Sequence, residues 1–222
     1  MLVCYILICM KRYIIVIGLF LLAQSAWGKC PDYGPKPRTQ VVLEFGKAVV
    51  DNTKSREEWP EKTSSHTAGV TVAYHDIQMQ IVPKIKEVSG HTQCLYIEAA
   101  KFFFSFPQLN IYVDKKYRPG SCPYSVVIQH ERKHVRIYQN TLYAYRGKLE
   151  AAFDKSVKQI KMAPVKSQAE ANKQIEKIKE QIKKDMLPVI EKLLKETEAK
   201  QQRMDTEEAY QKEGRKCPKW PD

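Results

Sequence analysis

The hydrophobic period of this chain changes near residue 120, and the change decides what each half can become. Upstream, Val41–Phe45, Val70–Tyr74, Ile77–Ile81, Cys94–Glu98, Lys101–Phe106 and Asn110–Val113 alternate and are rich in β-branched and aromatic residues, which predicts strands. Pro107 and the Arg118-Pro119-Gly120 turn punctuate them, and the polar stretch Asp51–Ser65, with Pro60, reads as a loop. Downstream, Val127, His130, His134, Ile137, Tyr138, Leu142, Tyr145, Leu149, Phe153 and Val157 fall at three- and four-residue steps. That spacing predicts one helix to about Ile160, capped by Ser121 or Ser125. Met162–Ser167 interrupts it. A second stripe follows through Ile175, Ile178, Ile182, Met186, Val189, Leu193, Thr197 and Met204, with a kink expected at Pro188. The expected fold is α+β: a small mixed or antiparallel sheet packed on one long helix, followed by a second long helix antiparallel to the first. Residues 29–222 form one domain in this reading, strand-rich over 29–120 and helical over 121–222.

Ahead of it, Lys11 and Arg12 precede the apolar run Tyr13–Ala23, and Ala26 and Gly28 suit a cleavage before Lys29. This layout predicts a signal peptide over residues 1–28, with Met1 or Met10 as the start and a periplasmic or secreted destination. An uncleaved membrane anchor is the alternative, because Met1–Met10 lengthens the apolar segment. Removal of the leader leaves Cys30, Cys94, Cys122 and Cys217, an even set that predicts two disulfides in an exported chain. Cys30–Cys217 with Cys94–Cys122 is the expected pairing, since it would tie down both tails. No CxxC spacing offers a cysteine zinc site.

The 37 basic and 25 acidic residues give a net charge of +12, reduced to +10 without Lys11 and Arg12. Lysines and glutamates share the polar helix faces, and no basic cluster is interleaved with aromatics, so nucleic acid is not the expected partner. Association with a cell envelope is compatible with such a surface.

The chemically pointed segment is His130-Glu131-Arg132-Lys133-His134, an HExxH motif inside the first helix. Histidines at i and i+4 share one helical face and can reach a single Zn2+, while the intervening glutamate lies beside the position of an activated water. Zinc lowers the pKa of that water, and the glutamate can pass its proton to a leaving amine. His66, His75 and His91 lack such company.

A third ligand must come from elsewhere. Glu150 lies 16 residues past His134, about 24 Å along an unbroken helix, and only a sharp break near Gly147 would bring it back. An antiparallel partner helix instead returns Glu196, Glu198, Asp205, Glu207 and Glu208 toward the histidines. Glu208 continues the inward stripe four residues after Met204, with Asp205 on the neighbouring edge; either can be the ligand, or one can orient a histidine.

Cys94 with the strand-rich stretch to Val113, Gly120–Tyr124 leading into Val126–Val135, and the late Met204–Tyr210 together resemble a family of secreted bacterial proteins described as zinc-dependent proteases, within the zincin group of HExxH metallopeptidases. The resemblance spans about residues 40–215, and its specific part is the HExxH helix. It implies a sheet above the active-site helix, a second helix closing the site from below, and hydrolysis of a peptide or protein substrate. Where the related pattern carries a late histidine this chain has Tyr210, which shifts the third-ligand role to Asp205, Glu208 or the Tyr210 hydroxyl. Tyr210, like Tyr138 or Tyr143, would otherwise suit a donor to a developing oxyanion. The contrasting expectations are a non-catalytic periplasmic binding protein built on the helical hairpin, and a metal-dependent amidase acting on cell-wall peptide.

Overall fold

A computed structural model describes residues 29–60, 67–88 and 92–221. The segment 1–28, expected to be a signal peptide, and His66 and His91 lie outside the described residues. Five strands make one mixed sheet: β1 (Arg38–Phe45), β2 (Ala48–Asp51), β3 (Gly69–Val88), β4 (Thr92–Val113) and β5 (Ala163–Pro164). Three helices follow or flank them: α1 (Cys122–Lys158), α2 (Gln168–Met204) and the short α3 (Glu207–Gly214).

β4 is the spine. Along one edge β3 pairs with it antiparallel over its whole length; along the other, β1 and β2 lie end to end in parallel and β5 pairs antiparallel beside Cys94 and Leu95. The sequence pattern divides the β3–β4 ribbon into five short strands, and the structure fuses them into two. The reason lies in two prolines. Pro83 and Pro107 each sit at a register shift, where β4 carries one extra residue, so a missing N–H does not end the ladder. Each shift also reverses which parity faces inward. Leu95 and Ile97 are buried, then Ala100, Phe102, Phe104 and Phe106, then Leu109, Ile111 and Val113, so one apolar face continues through two changes of phase. At the second bulge Gly46 is obligatory: a Cβ there would stand 2.0 Å from the Pro107 carbonyl oxygen.

That face packs on α1, which contributes Val127, Val135, Leu142, Tyr145, Leu149 and Phe153 to the core. α2 closes the opposite flank of α1 with Ile182, Met186, Ile190 and Leu193. Polar cross-links fix the antiparallel register of the helices: the Ser156 hydroxyl donates to Asp185 (2.6 Å), the Tyr145 hydroxyl to Glu196 (2.7 Å), and Lys200 to the Thr141 hydroxyl (3.3 Å). Pro188 is accommodated within α2, which runs unbroken to Met204.

All four cysteines form disulfides, but the pairing is Cys30–Cys94 and Cys122–Cys217, not Cys30–Cys217 with Cys94–Cys122. Helix length explains the correction. Cys122 opens the 37-residue α1, which spans about 55 Å, while Cys94 pairs with Pro164 just beyond its far end. The Cα atoms of a disulfide must lie within about 7 Å, so Cys94 and Cys122 cannot meet. Each tail is tied to its own end of the molecule. Two disulfides fit an oxidising, exported location. No helix among the described residues is long and apolar enough to cross a membrane.

Candidate metal centre

Ser121 caps α1 by accepting the Tyr124 N–H, and two turns later the helix turns His130, Glu131 and His134 inward, all three buried. α2 arrives antiparallel and stops at Met204. Asp205 is its C-cap, and Thr206 immediately caps α3 by accepting the Ala209 N–H. This abrupt corner aims the Asp205 carboxylate at the histidines. Its Oδ1 lies 3.0 Å from His130 Nε2 and 2.9 Å from His134 Nε2, and the two Nε2 atoms are 2.9 Å apart.

The outer nitrogens decide what this triangle is. His130 Nδ1 faces Glu213 Oε2 at 2.8 Å, and His134 Nδ1 faces Gln201 Oε1. The Gln201 amide nitrogen donates to the His134 carbonyl (3.2 Å), which turns its oxygen to the ring. Both partners are acceptors, so both Nδ1 atoms carry the proton, and each neutral imidazole then presents a bare lone pair at Nε2. Two nitrogen lone pairs and a carboxylate oxygen converge on one point. Such a cluster of acceptors needs a cation or added protons between its members. Ligands of a tetrahedral zinc with bonds near 2.0–2.1 Å stand about 3.3 Å apart, close to the observed edges. His130, His134 and Asp205 can therefore hold a metal ion.

Without a metal, protons at the Nε2 atoms take the place of the cation. Burial works against the Asp205 charge, but hydrogen bonds from both histidines and from the Tyr210 hydroxyl (3.0 Å) hold its carboxyl well below the usual range. Burial likewise opposes the His134 charge, yet Asp205 and Gln201 carry its pKa above the ordinary 6.5. Burial and the neighbouring Asp205 charge push the Tyr210 phenol far up, so it remains a donor. Glu213 is kept ionised against its burial by Lys133 (3.0 Å) and His130.

A pH dependence follows with a definite sign. In the metal-free protein the charged His134–Asp205 pair contributes stability fully present below pH 6.5 and lost as pH rises through the raised His134 value. A metal must displace that proton, so its stabilisation grows over the same interval. The rise in Tm on adding zinc should be larger at pH 8 than at pH 6, measured by thermal unfolding at both.

Glu131 lies on the other side of the pair. Its carboxyl is raised by burial, accepts the Thr71 hydroxyl at 2.8 Å, and has room because residue 69 is glycine: a Cβ there would come within 3.0 Å of Glu131 and 2.6 Å of Val127. Two cavities meet at Gly69, Glu131 and Tyr210. One, about 220 Å3, runs toward Tyr117 and Trp220; the other, about 320 Å3, runs past Thr71 to Tyr138 and Gln201.

Asp205, not Glu208, joins the histidines. Glu208 is exposed on α3, because the stripe that would carry it inward ends with α2. Glu196 serves Tyr145 and Lys200, Glu198 accepts from Gln202, and Glu150 pairs with Arg146. His75 stacks on Phe104, outside the site. Tyr210 lies in it, its ring 5.3 Å from that of His130, whereas Tyr143 is exposed against Phe45. Sequence reasoning missed Glu213, Gln201, Thr71 and Gly69. Glu213 did leave a signal, standing three residues after Tyr210 on one helical face. No family model, curated protein or solved structure matches the chain, and the chemistry of the site is read from its own geometry.

Proposed function

We propose that the protein is an exported, zincin-like zinc metallopeptidase, with His130, His134 and Asp205 as metal ligands and Glu131 as general base. The observation that carries this reading is the convergence of three acceptor atoms within 3.0 Å, with both outer ring nitrogens already committed. A set of two histidines and one carboxylate suits Zn2+, and with no fourth protein ligand among the described residues it leaves a position for chemistry. Zinc, when bound, supplies a Lewis acid and brings water toward ionisation at neutral pH.

The chain's own residues do the rest. Glu213 and Gln201 hold the imidazoles in one tautomer and orientation. Glu131, oriented by Thr71, takes the proton of the attacking water and returns it to the leaving amine. Tyr210 is placed to donate toward developing negative charge once its hydrogen bond to Asp205 is exchanged. The two cavities on either side of Glu131 offer space for a chain passing through the site, which favours peptide or protein over a compact substrate. Residues 1–28 act as the signal peptide, and the two disulfides form after export.

The purified mature protein, residues 29–222, should hydrolyse an unfolded protein such as casein, lose that activity to a chelator and regain it with added zinc. Hydrolysis that persists in chelator would overturn the assignment, as would none from zinc-loaded protein across a mixed peptide library.

A further inference from the structure

The cavity of about 220 Å3 beside the metal centre is closed on one side by Trp220 of the C-terminal tail. Its walls are Ala68 ahead of β3, Val126 and Val127 in the first turns of α1, Tyr117, and Trp220, with His130 at its inner end. Tyr117, Val126 and Val127 are buried. Trp220 is fixed from several directions. Its indole N–H donates to the Gly214 carbonyl at 2.7 Å, and its ring meets Tyr117 edge-on at 5.8 Å. Three residues earlier, buried Cys217 is bonded to Cys122, the first residue of α1. The short tail that follows Cys217 is thus fastened across the start of the helix that carries the metal ligands.

We propose that this cavity is a side-chain pocket for the substrate, with Trp220 as its specificity-determining residue; the inference rests on the metallopeptidase reading above. Size and lining set the class. A cavity of about 150 Å3 accepts benzene, so 220 Å3 accommodates a phenyl ring with its methylene, or a branched aliphatic chain. The polar lining comprises the carboxylates Glu131 and Glu213, His130 and the Tyr210 hydroxyl, which is already given to Asp205, so an acidic side chain is disfavoured. The pocket therefore takes an aliphatic or single-ring aromatic residue next to the scissile bond. Trp220 acts by supplying apolar wall, and no bond is made or broken there.

Three succinyl hydroxamates that differ only in their side chain (methyl, benzyl or carboxyethyl) test this by calorimetry on the zinc-loaded mature protein, with zinc content measured in every sample. The wild-type chain should bind the benzyl compound at least about tenfold tighter than the methyl, and the carboxyethyl compound weakest. Trp220→Ala should reduce the benzyl preference at least about fivefold with one zinc per chain retained, and Trp220→Phe should keep most of it. Val126→Phe, which fills the cavity from the α1 wall, should weaken benzyl binding and spare methyl. It serves equally if Trp220→Ala does not fold. A benzyl preference unchanged in zinc-loaded Trp220→Ala or Val126→Phe overturns the pocket alone. A wild-type chain that holds no zinc and binds none of the three compounds removes the metallopeptidase reading, and the pocket with it.

Discussion

Glu131→Gln should leave the metal bound and reduce peptide hydrolysis by about 10²–10⁴-fold, the usual contribution of a positioned general base. The substitution is nearly isosteric. The amide oxygen can still accept the Thr71 hydroxyl, now 2.8 Å from the carboxylate, so the packing around Val127 and Gly69 need not change. What the amide cannot do is take a proton from water and pass it on. Desolvation by burial raises the native carboxyl, a bias that the neutral amide lacks. Single-turnover assays on the two proteins, at equal zinc content, measure the effect directly. Activity retained in Glu131→Gln would place the base elsewhere. Stoichiometric zinc in both proteins with hydrolysis by neither would favour a metal-holding binding protein.

The second large effect concerns Asp205. Asp205→Ala removes one of the three converging acceptors and leaves two imidazoles on a single helix, too few for a stable site. Zinc affinity should fall well beyond the roughly 10- to 100-fold typical of losing an outer partner such as Glu213. Glu208→Ala, three residues along and exposed, should leave affinity unchanged. Competition with a chromogenic chelator separates the two. Equal losses in both variants would mean that the corner at Asp205–Thr206 opens in solution. An unchanged Asp205→Ala would mean that the carboxylate only orients a histidine.

The contrast between these two acids shows where the sequence was legible. The helices declared themselves because a long apolar stripe admits one period: Leu142, Leu149 and Phe153 on α1, and Ile182, Met186 and Leu193 on α2, are the buried positions that the spacing predicts. The third ligand was not, because extending the α2 stripe past Met204 favours Glu208. Asp205 is itself the residue that ends the helix, and no glycine or proline marks the stop. Glu213 shares a helical face with Tyr210, but its reach to His130 depends on the angle at which α3 leaves that corner. The disulfide pairing required knowing that Cys94 and Cys122 stand at opposite ends of α1, a distance that only the assembled fold supplies. In the sheet, Pro107 reads locally as punctuation between strands. It sits within a continuous strand because β4 bulges there, as it does opposite Pro83.

Elemental analysis of the mature protein after exhaustive dialysis at pH 7.5 decides whether His130, His134 and Asp205 form a metal site. One zinc per chain is expected in the wild-type protein and none in Asp205→Ala. A dialysed wild-type chain that is folded, binds no metal on reconstitution and unfolds at the same temperature with and without zinc would contradict that assignment.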